Sequence, residues 1–494
     1  MPLRRGAQYK AALDDGRDVH LLGKKVPSVV REPVLSGAID AVAQIYDRQF
    51  APEFAELFTL AEGESGSLSG RMYQIPRSEH DIRQRGALID HVARMSGGTM
   101  GRTPEYVPLV LIGLLDAAGV IARKNAEWAQ NIARYYEHCR AGDLFLSHSF
   151  ADRQVDRATE SKKIAHLSYV PMEDGGIEVS GIKAVATSAP IADEFIVFTP
   201  PRNGLAPHQA VFFAVPINTA GLRFICRQPL PQGAADDHPL GGRFDEMDAW
   251  AIFDRVHVPR ERVFVAGDVE LVAMAWRNLL TLAYYHILVR SAVKADLFLG
   301  TSSLIAGYLG LNAFQGIREN LADIARYGDT IRAFARAAEA DVVLTRGGMA
   351  MPNPRILAVG HMYAVEHHHR LRDGLVGIAG QSVLMSPGAA DAEIPELAAP
   401  GQGGGDEERR RVFRLAWDLA GGAFAGRQYL FEVFNGRDLT RNRLAFFERF
   451  DLKASQTLAL ALAGAKRAGD TEGAAVARGP NAMNAHLNED RRSP

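Results

Sequence analysis

"GIEVSGIKAVATSA" at residues 176–189 and "EFIVFTPP" at 194–201 decide how this chain is read. Both are rich in Val, Ile and Phe, both are bounded by Gly, Pro or Asp, and no helical stretch separates them. "QAVFFAVPI" (209–217), "GLRFICRQ" (221–228) and "DAWAIFDRVHVP" (248–259) continue the series. Closely spaced strands without intervening helices predict a small β-barrel or sandwich over 143–267.

On both sides of this block the apolar period changes to that of a helix. In "NAEWAQNIARYYEHCR" (125–140), Trp128, Ile132, Tyr135, Tyr136 and Cys139 recur at three- and four-residue steps. Residues 1–142 are therefore expected to form an N-terminal helical domain, after a short hairpin in "GRDVHLLGKKV" that turns at Gly23-Lys24. C-terminal to the strands, "LADIARYGDTIRAFARAAEADVVL" (321–344) lines up Ile324, Tyr327, Ile331, Phe334 and Ala338 on one face. This block, 268–470, reads as a four-helix bundle, interrupted by the Gly/Pro/Ala-rich loop "SPGAADAEIPELAAPGQGGGDEE" (386–408). Residues 471–494 read as a frayed tail. The fold class expected is α+β, mainly α. Helices, then a β-domain, then a helical bundle is the layout of the acyl-CoA dehydrogenase type of flavoprotein.

The bulk numbers exclude several functions. The chain has 494 residues, 47% hydrophobic and 23% charged, the balance of a soluble globular protein. A net charge of −2 gives no reason to expect nucleic acid as a partner. The only cysteines, Cys139 and Cys226, allow neither a disulfide framework nor an all-cysteine metal site, and fit a reducing cytoplasm. The N-terminus lacks an apolar signal core, and the longest apolar run, "YVPLVLIGLLDAAGVIA", is broken by Pro108 and Asp116, so no membrane role is expected. No G-x-G-x-x-G follows a strand, and no P-loop or G-x-S-x-G elbow occurs. "EHHHR" (366–370) puts adjacent histidines in different directions around a helix, which suits surface residues better than a metal cluster. No metal is expected.

Four segments carry chemistry. "GRTPEY" (101–106) combines an N-cap at Thr103, a first-turn Pro104 and a dipole-matched Glu105. Arg102 and Tyr106 then stand at a helix mouth able to hold an anionic oxygen. "GDLFLSHSFADRQVDR" (142–157) has His148 at a strand end, followed by Gln154 and Arg157. "VATSAP" supplies the hydroxyls of Thr187 and Ser188 at another strand end, where one could meet a ring nitrogen. "YYHILVR" puts His286 and Arg290 one helical turn apart. Taken alone, each also suits a purely structural role.

Together these segments are specific. With "GAQYKAALDDGRDVHLLGKKV", "RYYEHCRAGDLFLSH", "VSGIKAVATSAPIADE", "GLRFICR", "HPLGGRFDEMDAWAIFDRVHVPRERVF" and "RLAWDLAGGAFAGRQYLFE", the chain resembles, over nearly its whole length, the oxygenase component of the 4-hydroxyphenylacetate 3-monooxygenase family. The resemblance implies a two-component aromatic monooxygenase. A separate NAD(P)H-flavin reductase supplies FADH2, which reacts with O2 to a C4a-hydroperoxide that hydroxylates a phenol ortho to its hydroxyl. It further implies substrate contacts from Arg102, Tyr106 and His148, with His286 as a second candidate base. Thr187 matches a position near the flavin, with Ser188 beside it. Gln154, Arg157, Arg227, Arg427 and Asn435 match flavin-contacting positions. A homotetramer, as a dimer of dimers, is implied too.

The loop "TPPRNGLAPHQ" (199–209) departs from the best-known members, so the phenol is open among 4-hydroxyphenylacetate, tyrosine-like, hydroxycinnamate and halophenol substrates. Three alternatives stand beside it: an acyl-CoA dehydrogenase-like flavoenzyme, a non-catalytic homologue, and a 4-hydroxybutyryl-CoA dehydratase-like enzyme. The last needs three cysteines and a histidine for a [4Fe–4S] cluster, and this chain has Val293 at one cysteine position.

Overall fold

Apolar runs with no polar alternation suit strands covered on both faces, and "EFIVFTPP" and "QAVFFAVPI" form such strands, whereas the strands of "GIEVSGIKAVATSA", "GLRFICRQ" and "DAWAIFDRVHVP" bury one face more than the other. The computed structural model describes residues 3–62, 67–152, 166–230, 236–392, 394–398, 407–436 and 439–465. Its strands include β1 (Asp18–Leu21), β2 (Lys24–Lys25), β3 (Thr59–Glu62), β4 (Ser67–Gly70), β5 (Leu146–Ser149), β6 (Ser168–Pro171), β7 (Ile177–Lys183), β8 (Glu194–Phe198), β9 (Val211–Pro216), β10 (Leu222–Cys226), β11 (Ala249–Val258) and β12 (Val263–Ala266). One sheet has the order β2-β1-β10-β11-β7-β6, a second β12-β9-β8-β5. Phe195 of β8 meets Phe224 of β10 at 5.3 Å and Phe253 of β11 at 6.3 Å, and Phe213 of β9 meets Phe253 at 5.8 Å. The two open sheets thus face each other as a sandwich, and among the described residues no closed barrel forms. Each of these buried phenylalanines contributes roughly 1.5–3 kcal/mol by leaving water.

The N-terminal hairpin belongs to this sandwich: β1 pairs in parallel with β10, Val19 opposite Phe224. Its turn falls at Leu22-Gly23, one residue before the expected place. Both residues have positive φ, 51° and 77°, as a two-residue hairpin turn requires, and glycine takes the second position without strain. The β3–β4 hairpin lies within the stretch read as helical.

The helix Ala126–Gly142 starts at an Asn125 cap and buries Ile132, Tyr135, Tyr136 and Cys139. The helix Tyr106–Ile121 buries most of its surface, from Tyr106 through Leu114 without a break. Gly113 lets it cross close to the end of the helix Val269–Leu279: a Cβ there would stand 2.5 Å from the Leu279 carbonyl oxygen. Among the described residues no helix is long and apolar enough to cross a membrane.

C-terminally, the helices Thr281–Tyr308, Gln315–Ala340, Pro354–His367 and His369–Ala379 pack against one another. Ile324, Tyr327, Ile331 and Ala338 are buried as expected, with Phe334 only partly covered. Within "EHHHR", His368 is buried rather than on the surface, and burial pushes its pKa down to about 4. The class is α+β, mainly α. One compact unit runs through Asn442; of the second, Arg443–Pro494, the described residues include the helix Lys453–Ala463. Part of the 386–408 loop and the 471–494 tail lie outside the described residues.

Candidate active site

The helix start at "GRTPEY" is built differently from the expected cap. Thr103 spends its hydroxyl on Glu105 Oε1 at 2.8 Å instead of on a backbone N–H. A turn, Tyr106 N–H to the Thr103 carbonyl at 3.0 Å, comes first, and the α-helix begins only at Tyr106. Glu246 Oε1 accepts the backbone N–H groups of Gly101, at 2.8 Å, and of Arg102. So anchored, Arg102 lays its guanidinium 4.3 Å from the centre of the Tyr106 ring and 5.2 Å from that of Phe431. Its side-chain hydrogen bonds go to neutral acceptors, the Gly101 carbonyl at 3.0 Å and Asn435 Oδ1 at 3.3 Å.

Two histidines flank Tyr106. His148, at the third residue of β5, lies 5.7 Å from the Tyr106 ring and 4.3 Å from Phe150. Both its ring nitrogens are buried without a partner among the described residues. Burial and the neighbouring Arg102 charge push its pKa well below the ordinary value, so the ring is neutral at pH 7. His286 presents an edge to Tyr106 at 4.9 Å, and its Nε2 lies 3.3 Å from Glu105 Oε1. Burial lowers its pKa too, with Glu105 opposing the shift.

Arg290, one turn from His286, faces other partners. It donates to the Gly98 carbonyl at 2.7 Å and, bidentate, to Glu432 at 2.6 and 2.7 Å. Lys294 also donates to Glu432, which the two cations hold well below the carboxylate range.

The turn after β7 brings in the hydroxyls. Ser188 sits at φ 60°, its Oγ buried and unpartnered among the described residues. Thr187 donates to Asp248 Oδ1 at 2.7 Å, while Ser147 of β5 holds the Thr187 carbonyl at 2.8 Å. Asp248 also accepts Arg427 at 2.9 and 3.0 Å and Arg227 at 3.1 Å. Arg227 has a second carboxylate in Asp245, and Arg427 one in Glu246 at 3.4 Å. The arginines hold Asp248 ionised far below the usual range. Hydrogen bonds therefore connect Arg102, Glu246, Arg427, Asp248, Thr187 and Arg227, with Asn435 joined through Arg102. Gln154 and Arg157 lie outside the described residues.

Sequence reasoning named no role for Glu246, Asp248, Phe431 or Glu432, and read Glu105 as a dipole partner. The signal present was "DEMD" at 245–248, three carboxylates in four residues beside a buried strand.

Comparison with known proteins gives a consistent result. Residues 5–265 match the family model "4-hydroxyphenylacetate 3-hydroxylase N terminal" and residues 273–464 its "C terminal" counterpart. The oxygenase component of a 4-nitrophenol 4-monooxygenase/4-nitrocatechol 2-monooxygenase of Rhodococcus opacus is 31% identical, over 96% of this chain and 93% of that one. An FADH(2)-dependent monooxygenase, TftD, of Burkholderia cepacia is 28% identical over 92% and 91%. The crystal structure of the oxygenase component (HpaB) of 4-hydroxyphenylacetate 3-monooxygenase, complexed with FAD and 4-hydroxyphenylacetate, superposes with a TM-score of 0.88. It is 30% identical, over 93% of this chain and 98% of that one.

Proposed function

The chain belongs to the 4-hydroxyphenylacetate 3-hydroxylase family, and from that premise we propose that it is the oxygenase component of a two-component flavin monooxygenase that hydroxylates a phenol ortho to its hydroxyl. The observation that carries the substrate class is the charge state of the arginines. Among the described residues, Arg227, Arg290 and Arg427 each have a carboxylate partner. Among the same residues the side-chain acceptors of Arg102 are neutral. Of these four arginines it is therefore the one whose charge no described carboxylate takes, and its guanidinium stands over Tyr106, whose ring two neutral, buried histidines flank. A phenol oxygen placed there gains most from Arg102 as it becomes a phenolate, and negative charge on that oxygen enriches the ortho carbon for attack by an electrophilic oxygen. Arg102, Tyr106, His148 and His286 are the residues we assign to the substrate.

FAD fits the adjoining residues. Ser188 Oγ and Asn435 Nδ2 are buried polar atoms without partners among the described residues, the condition of groups that await a ligand. Together with Thr187, whose hydroxyl oxygen keeps acceptor capacity after donating to Asp248, they would hold the flavin. Gln154, Arg157, Arg227 and Arg427 are assigned to it as well; the last two act here through carboxylates that they also neutralise. Reduced FAD, when bound, activates O2 and supplies the oxygen atom. The protein's own part is to bind and ionise the phenol, orient it, and keep water out of a site where the histidines are already dry.

A separate reductase is the source of FADH2. We read the helical 1–142, β 143–267 and helical 268–470 blocks as building the site jointly, in a cytoplasmic homotetramer arranged as a dimer of dimers. The experiment mixes protein with FADH2 and a phenol without oxygen, then adds O2, and measures catechol formed in one turnover. A phenol panel covering 4-hydroxyphenylacetate, tyrosine-like, hydroxycinnamate and chlorinated members identifies the substrate. Stoichiometric H2O2 with no hydroxylated product from any of them would refute the reading.

A further inference from the structure

Glu105 has no part in the assignments above, yet its surroundings are tightly specified. Its Oε1 accepts the Thr103 hydroxyl at 2.8 Å and lies 3.3 Å from His286 Nε2. The Glu105 and His286 side chains are only 3% and 1% exposed. An oxygen that accepts from Thr103 acts as an acceptor toward the imidazole too, so Nε2 is the donor in that contact. In a neutral ring this puts the single proton on Nε2 and leaves Nδ1 with a bare lone pair. His286 Nδ1 is buried and has no partner among the described residues. His148 is placed differently: among the described residues the charge acting on it is that of Arg102, and none of their carboxylates balances a proton gained.

Resting on the phenol-hydroxylase reading, we propose that Glu105 is a positioning residue: it fixes the proton of His286 on Nε2 and so makes Nδ1 the acceptor of the phenol proton. In that step the phenol O–H bond breaks, its electron pair stays on oxygen, and an Nδ1–H bond forms. The Glu105 carboxylate balances the imidazolium, and Arg102 balances the phenolate. The groups facing His286 are Glu105 and Tyr106 from the helix start, Arg102 from the loop before it, and Arg290 from its own helix. The charge of Arg290 is taken by Glu432, which leaves Glu105 as the counter-charge available to His286.

Histidine labelled with 15N in the flavin-free full chain reads the tautomer without turnover, the His286 signal being assigned by its loss in His286→Asn. A protonated Nε2 and a bare Nδ1 are expected; a protonated Nδ1 overturns the proposal. The charge is read with 4-nitrophenol, yellow as phenolate and nearly colourless as phenol, bound to the same flavin-free protein. Glu105→Gln keeps an acceptor for Nε2–H but removes the charge, so the bound phenolate-to-phenol ratio at fixed pH falls about ten- to a hundredfold. Glu105→Asp recovers most of it. An unchanged ratio in Glu105→Gln overturns the proposal. Should that variant not fold, Thr103→Val removes one anchor of the carboxylate: a smaller fall in the same direction supports the proposal, and no fall overturns it. Single-turnover product is scored separately. A phenolate response without product would count against the hydroxylase reading alone, and product with a band indifferent to Glu105→Gln against the role of Glu105 alone.

Discussion

Neutralising Glu432 tests how the charges behind the site are balanced. Its carboxylate takes both Arg290 nitrogens at 2.6 and 2.7 Å and the Lys294 ammonium, and the three side chains are 6%, 1% and 3% exposed. Glu432→Gln keeps the shape but leaves two buried cations without a counter-charge. Breaking a buried pair from one side costs about 3–5 kcal/mol, because a charge is stranded out of water. Unfolding entropy of ~2.1 cal/mol/K per residue gives the unit ending at Asn442 about 0.9 kcal/mol per degree, so a fall of roughly 3–5 °C in Tm is expected. Differential scanning fluorimetry at one scan rate, with and without salt, measures it. Replacing all three residues by Met should recover at least half of the loss, since no charge is then left behind. The deficit should also depend on pH. Burial has already brought Lys294 down to about 8, and losing Glu432 lowers it further. From that lower value up to about pH 8 the unfolded variant binds more protons than the folded one, so its stability rises while that of the parent does not. The gap therefore narrows toward pH 8 and is constant above it. A Tm change under one degree, or a gap that widens with pH, would refute the reasoning.

Three further outcomes are expected. Asp248→Asn removes the shared partner of Arg227, Arg427 and Thr187 and should cost on the order of 3 kcal/mol at pH 7. Because Asp248 titrates far below its unfolded value, its stabilisation is present above about pH 4 and lost as acid protonates it, so parent and variant Tm values should converge in acid. Gly98→Ala puts a Cβ at φ +73° and 2.7 Å from the Arg290 carbonyl oxygen, which should cost about 2 kcal/mol or more in thermal unfolding. Arg102→Lys keeps the charge but loses the fork that reaches Asn435 and the stack on Tyr106. Product formed per FADH2 consumed should drop at least about tenfold, with Tm unchanged within a degree or so; full coupling in that variant would remove Arg102 from the substrate.

How far the sequence could be read follows from where each interaction is encoded. The strands β8 and β9 were legible because residues such as Phe195, Ile196 and Val197 are covered on both faces, and that requirement is written locally as an unbroken apolar run. The pairing of β1 with β10 was not, since about two hundred residues separate Val19 from Phe224 and neither segment marks the other. The same limit governs the site. Glu105 and His286 are 181 positions apart, and Arg102 and Asn435 are 333 apart. The spacing in "GRTPEY" joins Arg102 to Tyr106, but only the family resemblance adds His148 and His286 to them. The acidic residues were misread for a related reason. A glutamate in the first turn of a helix ordinarily answers the helix dipole, and Glu105 stands in that place. What distinguishes it is only visible in three dimensions: its oxygen is spent on Thr103 and His286. Glu246 and Asp248 carry no role in the sequence, and acquire one only when Arg427 is seen between them. Around the Phe431 ring stand Arg102, Arg290 and Arg427, at 5.2, 5.4 and 4.8 Å. Three cations about one aromatic ring have the charge of an anion site. The carboxylates decide otherwise, because Glu432 takes Arg290 and Asp248 takes Arg427, and among the described residues the charge that no carboxylate takes is that of Arg102. The acids that sequence reasoning passed over are thus what give the arginine it singled out its role.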